Sequence, residues 1–557
     1  MLKYPVVVLV VLLVSCSSQK QFDKIIRNGL IYDGKGGEPF KADIAINADT
    51  IAEIGDLSSA TAKEETNAKG MAVAPGFINM LSQAQESLIQ DGRSQSDIRQ
   101  GVTLEVMGEG SSMGPVTPKM KKEMEDGEGD IRYKVTWNTL GRYLSFLEKK
   151  GVSCNVASFI GAGTVRTNVI GEDNRSPTPA ELLKMQQLVK QAMQEGAMGV
   201  GSSLIYPPDF FAKTDELVAL CKVASAYGGS YISHMRSEGN RINEAVNELI
   251  TIAKEAHIHA EIYHLKIAGK ANWYKLDSVI REVECARKRG INVTANMYTY
   301  LAGATGLTAA FPPSLQDGGF DKLWQRLHDP AIRAQMARAM DSNATDWENL
   351  YYGTGSPDKV LLLSFKQDSL KKFTGKTLAE VARIRRKSPE ETAMDLIVQD
   401  STRIGVAYFL MNEENVKKQM ALPWVSFGSD EGSYANEGVF LKSNAHPRAY
   451  GNFVRVLGKY TREDKILTLQ DAIRKLAYLP ATNLKLKKRG ALLKGYYADV
   501  VIFDPGRVQD HATYTNPHQY ATGVSDVFVN GVAVLKNGVH TGAKPGRFVK
   551  GPGFAGN

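Results

Sequence analysis

The chain has 557 residues, of which 43% are hydrophobic and 23% charged. That length exceeds one ordinary core and points to a catalytic domain with smaller modules attached, while the composition excludes extensive disorder and a polytopic membrane protein. The net charge of +8 is spread along the sequence rather than gathered in runs, so no nucleic-acid surface is expected.

Lys3 precedes an unbroken apolar run from Val6 to Val14, too short to span a bilayer and of the length of a secretory signal. The run ends in Leu13-Val14-Ser15-Cys16, which resembles a bacterial lipobox; the alternative is a plain signal peptide with an incidental cysteine. On the first reading Cys16 is the lipidation site and residues 1–20 form a signal and a polar tether. The chain would then be an exported lipoprotein anchored to a membrane on its periplasmic or cell-surface side. The remaining cysteines, Cys154, Cys221 and Cys285, are odd in number and widely spaced, so neither a disulfide framework nor a thiolate zinc site is expected. Cys221 and Cys285 fall on helical faces and read as small core residues.

Residues 21–74 are rich in strand signals, with alternating apolar positions in IIRNGLIYDG and ADIAINADTIAEIG between Asn-Gly and Asp-Gly turns. The segment 481–557 has the same character in ADVVIFDP and VFVNGVAVLKNGV. Together the two ends suggest one small β-sandwich.

Between them, over 75–480, apolar strands alternate with amphipathic helices at about 30-residue intervals, the pattern of a (β/α)8 TIM-like barrel in an α/β chain. Thr178-Pro179-Ala180-Glu181 reads as a capping box opening a helix that stops at Gly196. A strand follows over 198–204, a helix over 215–226, and a strand ending at His234. A helix over 242–255, a strand ending at His264, a helix over 276–288 and a strand over 292–298 continue the series. The period is lost over about 305–422, apart from a helix at 389–400, as expected of an insertion forming a lid or specificity element. It resumes with a strand over 424–428 that delivers Asp430.

His234 and His264 stand 30 positions apart, one βα unit, so both imidazoles should emerge at the same barrel mouth, where neutral imidazoles suit zinc. His257 and His259 read as structural. Asp430 is placed to move a proton in metal-assisted hydrolysis, or is simply a helix N-cap. Lys266 and Arg448 would suit a substrate carboxylate, or are solvated surface charges.

These segments together resemble the amidohydrolase superfamily, and within it the N-acyl-D-amino-acid deacylase (D-aminoacylase) branch. The resemblance runs through IIRNGLIYDGKGGEPFKADIAI, VAPGFINM, RQGVTLEVMGEG, GSSLIYPP, YISHMRSEG, EIYHLKIAGK, MYTYLAGATG, GSDEG, AHPRAYGNFVRVLG, KGYYADVVIFDP and the closing VNGVAVLKNGVHTGAKPGRFVKG. It implies a barrel with a β-sandwich and a zinc ion that activates water to hydrolyse the amide of a small N-acyl-amino acid. By motif position it makes His234 and His264 metal ligands and Asp430 the catalytic aspartate. It places Tyr206, Lys266, Tyr298 and Arg448 on the substrate.

The sequence also departs from the family pattern. Leu81 and Gln83 stand where the family has His-x-His, Gly110 stands where the branch has a ligating cysteine, and Ala304 replaces a small hydroxyl residue. A second metal site should therefore be absent, leaving about one zinc per chain. Catalytic zinc usually has three protein ligands, and Glu109, next to Gly110, is the candidate third. A dipeptidase or cyclic amidase on the same scaffold, or a degenerate binding protein, are the alternatives. Nothing in the sequence speaks to oligomeric state.

Overall fold

A computed structural model describes residues 20–556. The signal and lipidation readings, Cys16 included, fall outside the described residues.

The two ends of the chain share one nine-stranded sheet. Strand Val500–Phe503 pairs antiparallel with Ala72–Pro75 and stitches the C-terminal strands to the N-terminal ones. Asn530-Gly531 and Asn537-Gly538 form the expected tight turns, all four residues in the left-handed region that such hairpins require. Asn28-Gly29 does not turn. It lies inside the strand Gln21–Ile31, where the pairing register shifts between Ile26 and Gly29 and Asn28 has φ +60°, so the dipeptide makes a bulge.

The middle of the chain supplies parallel strands labelled here β1 (Phe77–Asn79), β2 (Val102–Met107), β3 (Asn155–Ser158), β4 (Gly199–Ser203), β5 (Ser230–His234), β6 (His259–Ile262), β7 (Val293–Met297) and β8 (Val425–Phe427). Neighbours pair in this order, with β3 resuming at Ile160–Gly161 to reach β4. Backbone bonds from Met80 N to Phe427 O (3.2 Å) and from Asp430 N to Leu81 O (2.8 Å) link β8 back to β1 and close the ring. These strands are buried along their whole length, as a sheet covered on both faces demands. Helices Thr214–Ala226, Ile242–Glu255 and Leu276–Lys288 follow β4, β5 and β6 and pack their apolar faces onto the sheet. Helix Pro179–Glu195 starts at the Thr178 capping box and ends at Gly196 in the left-handed conformation. A cap of this kind contributes about 1 kcal/mol.

The segment between β7 and β8 is a folded unit with its own core. Strands Ala302–Gly306, Gly405–Phe409 and Val360–Ser364 form an antiparallel sheet. The helices Pro330–Met340, Leu378–Arg385 and Pro389–Asp400 bury Met336, Val381, Met394 and Ile397 against it. The barrel period disappears here because these helices pack on each other and on this small sheet. Cys221 is buried as expected, whereas Cys285 is exposed: its helix turns it to solvent while Val279, Val283 and Ala286 face the barrel.

Candidate metal centre and active site

Five side chains from the C-terminal ends of β1, β2, β5, β6 and β8 converge on a cavity of about 830 Å³: Gln83, Glu109, His234, His264 and Asp430. His234 is the last residue of β5. His264, expected to end its strand, instead stands two residues past β6, with φ +35°; Asp430 follows β8 with φ +52°. Both lie in a region that non-glycine residues seldom occupy, and each conformation is held by hydrogen bonds: His264 N donates to Asn296 Oδ1 (2.9 Å) and Asp430 N to Leu81 O (2.8 Å).

The two imidazoles stand edge to face with centroids 4.5 Å apart and converge on one oxygen. His234 Nδ1 is 3.2 Å and His264 Nε2 2.7 Å from Glu109 Oε1, and the three ligand atoms lie within 4.8 Å of one another. Burial alone would raise the Glu109 carboxyl, but the charge of His264 and hydrogen bonds from both rings hold it well below the usual carboxylate range. Burial and the Lys266 charge lower His264, yet Glu238 and Glu109 outweigh them and push it up to about 9. The site thus draws positive charge between two carboxylates. Two imidazoles and one carboxylate form a donor set that a catalytic zinc accepts, so the residues present fit a metal.

Gly110 explains why the neighbouring Glu109 supplies the carboxylate. Gly110 has φ +66°, and a Cβ there would lie 2.4 Å from Ser203 Oγ, so no side chain is tolerated at the position where the sequence comparison placed the missing cysteine. Leu81 is fully buried in an apolar cluster and offers no donor.

Behind the histidines lies Glu238, a residue the sequence reading did not single out. Its Oε1 is 2.9 Å from His264 Nδ1 and 2.6 Å from Lys266 Nζ, and its Oε2 is 3.7 Å from His234 Nε2. The only signal for it was its place in YISHMRSEG, four residues after His234, but that stretch is loop, so no periodicity aimed it inward. Lys266 lines the cavity with its Nζ beside Glu238 and 2.7 Å from His264 Nδ1. Glu348, from the inserted unit, accepts from Ser237 Oγ (2.6 Å) and from Glu238 N (3.2 Å) and fixes this loop from outside. His259 is held by Thr294 Oγ1 at 2.8 Å, in keeping with a structural role.

On the far side of the cavity Arg448 Nη2 pairs with Asp430 Oδ2 at 2.9 Å and lies over the Tyr298 ring at 4.4 Å. Arg448 is 1% exposed, and its Nε and Nη1 have no hydrogen-bond partner among the described residues, leaving two buried donor atoms for an anionic ligand. Burial raises the Asp430 carboxyl, opposed by Arg448 and reinforced by Glu109. Tyr206 packs edge-on against His234 at 5.2 Å, and the buried hydroxyl of Tyr298 has no partner among the described residues. Ala304 lines the cavity and presents only its backbone carbonyl to Arg448 Nη2, at 3.5 Å.

A parallel barrel whose strand ends gather two histidines, a glutamate and an aspartate is the arrangement of a metal-dependent hydrolase. A family profile described as "Amidohydrolase family" matches residues 64–535. The chain is 31% identical to the D-aminoacylase of Alcaligenes xylosoxydans xylosoxydans over 541 residues, 96% of this chain and 98% of that one. Among solved structures it is similar to a D-aminoacylase described through its binuclear metal centre, with one-metal activation and second-metal attenuation (TM-score 0.77, 30% identity, 95% of this chain and 100% of that one). It is also similar to the N-acyl-D-glutamate deacylase of Bordetella bronchiseptica complexed with zinc and a phosphonate mimic of the tetrahedral intermediate (TM-score 0.78, 26% identity, again 95% and 100%). The chain belongs to the amidohydrolase family, in its D-aminoacylase branch.

Proposed function

We propose that this enzyme hydrolyses the amide of N-acyl-D-amino acids with one zinc held by His234, His264 and Glu109. The observation that carries the reading is the convergence of His234 Nδ1 and His264 Nε2 on Glu109 Oε1, facing the Asp430–Arg448 pair across one cavity. Support for the substrate class comes from the D-aminoacylase and the deacylase to which the chain is similar. When bound, the metal supplies Lewis acidity toward the scissile carbonyl and lowers the pKa of the attacking water.

The protein's own groups do the rest. Asp430 takes the proton of the attacking water and returns it to the leaving nitrogen, and burial helps by bringing its basicity closer to that of a useful proton carrier. Arg448 holds the Asp430 carboxylate in place and offers Nε and Nη1 to the substrate carboxylate, with Tyr298 beneath its guanidinium. Tyr206 walls the histidine side of the cavity. Lys266 acts by keeping Glu238 charged behind the rings. The chain is further proposed to be exported and lipid-anchored through Cys16; acylation assayed on Cys16→Ser tests that. Among the described residues no helix is long and apolar enough to cross a membrane.

The test is a substrate panel of N-acetyl-D-amino acids, their L forms, dipeptides and cyclic amides, run with metal analysis. Turnover of the D forms alone supports the reading. Preference for dipeptides or cyclic amides would replace the substrate class, and ligand binding without turnover would make the chain a binding protein.

A further inference from the structure

Gln83 reaches the site from the end of β1 and lies between two buried carboxylates. Its Nε2 is 2.6 Å from Glu109 Oε2 and 3.4 Å from Asp430 Oδ1. The other oxygen of each carboxylate is already engaged: Glu109 Oε1 faces His234 and His264, and Asp430 Oδ2 faces Arg448. The remaining oxygens, Oε2 and Oδ1, therefore point at one spot, and that spot is filled by the Gln83 nitrogen. The amide orientation follows from the neighbours, because an amide oxygen turned toward two carboxylates would be repelled while an NH₂ group donates one hydrogen to each. Two anionic oxygens aimed at a single point are otherwise a natural seat for a hard cation.

We propose that Gln83 is a neutral substitute for a second cation: its amide satisfies Glu109 and Asp430 and thereby restricts the enzyme to one metal. The inference rests on the one-zinc reading above. Leu81, two residues earlier, is buried in an apolar cluster and offers no further donor. The arrangement has a second effect, since Gln83 ties the carboxylate that holds the metal to the one that moves the proton.

Isothermal titration of the metal-stripped, full-length protein with zinc, beside Gln83→Glu and Gln83→His, tests this, with thermal melting to confirm that each variant folds. Wild-type protein is expected to take up about one zinc per chain. Gln83→Glu, nearly identical in size, places a third carboxylate at the junction and is expected to bind a second zinc. Gln83→His offers a neutral donor there and gives the same readout should the Glu variant not fold. A single zinc in a folded variant overturns the proposal and leaves the one-zinc reading standing, whereas a second zinc in the wild type overturns both. No zinc in the wild type removes the metal reading itself and this inference with it.

Discussion

Glu238 Oε1 lies 2.9 Å from His264 Nδ1, on the side of the ring opposite the Nε2 that meets Glu109. Lys266 Nζ lies 2.6 Å from the same Glu238 oxygen and 2.7 Å from Nδ1, so the carboxylate and the ammonium together hold the far side of the ring. Glu238 Oε2 stands 3.7 Å from His234 Nε2, beyond hydrogen-bond reach, so one buried carboxylate lies behind both rings and touches His264 the more closely. Carboxylates behind ligating histidines fix tautomer and ring orientation and raise ligand basicity.

Glu238→Gln should therefore weaken zinc binding roughly 10–100-fold, the usual effect of losing such a partner. Competition against a chromogenic chelator reads the affinity directly. Unchanged affinity in a folded variant would show that the rings are oriented by packing alone.

Asp430→Asn should lower turnover by roughly 10²–10⁴-fold, the contribution of a positioned acid–base group, and leave metal content unaltered. The ligand atoms of His234, His264 and Glu109 are separate from it, and an amide keeps the hydrogen-bonded shape. Full activity in this variant would remove the proton-carrying role.

Arg448→Lys keeps a charge beside Asp430 but loses the planar fork whose Nε and Nη1 have no protein partner. KM for an N-acyl-amino acid is expected to rise roughly 10–100-fold, as a lost charge-assisted contact implies, with kcat moved far less. The same substrate without its carboxylate should show no such change. Equal effects on both substrates would mean that Arg448 serves Asp430 only.

Glu105, on β2 and fully buried, is a test away from the metal. Its Oε2 accepts from Ser82 Oγ at 3.0 Å and its Oε1 has no partner among the described residues. Burial, helped by Asp97, pushes the carboxyl up to about 8. A carboxyl raised on folding favours the native state most below its unfolded value and loses that contribution as pH rises to the folded one. Glu105→Gln should consequently gain melting temperature relative to wild type as pH increases from about 4.5 to about 8, with no further gain above. A constant difference across this range would contradict the assignment.

The regular parts of the fold were legible because apolar periodicity writes them directly. The helices Ile242–Glu255, Leu276–Lys288 and Pro389–Asp400 match their expected bounds, and the Thr178 capping box lies where its side-chain pattern put it. Asn28-Gly29 misled because the same dipeptide that turns a hairpin also fits a bulge, and only strand pairing decides between them. Cys285 misled because one helical face cannot be assigned to core or solvent without its neighbours. At the site, strand ends in the periodic pattern brought His234, His264 and Asp430 together, while Glu109 came from the resemblance, as the neighbour of the glycine in the cysteine's place. Glu238 was hidden because it reaches the rings from a loop. Gln83 read only as a lost ligand, since its positive role depends on two oxygens supplied by Glu109, on β2's end, and Asp430, some 350 residues away in sequence.

The most direct measurement is reconstitution: the protein is stripped with chelator, shown still folded, and returned to zinc while hydrolysis of an N-acetyl-D-amino acid is followed. Activity is expected to vanish on stripping and to return in full at about one zinc per chain, and Glu109→Gln should fail to recover at that ratio. Undiminished hydrolysis by the metal-free protein, or full recovery in Glu109→Gln, would contradict a single metal held by Glu109, His234 and His264.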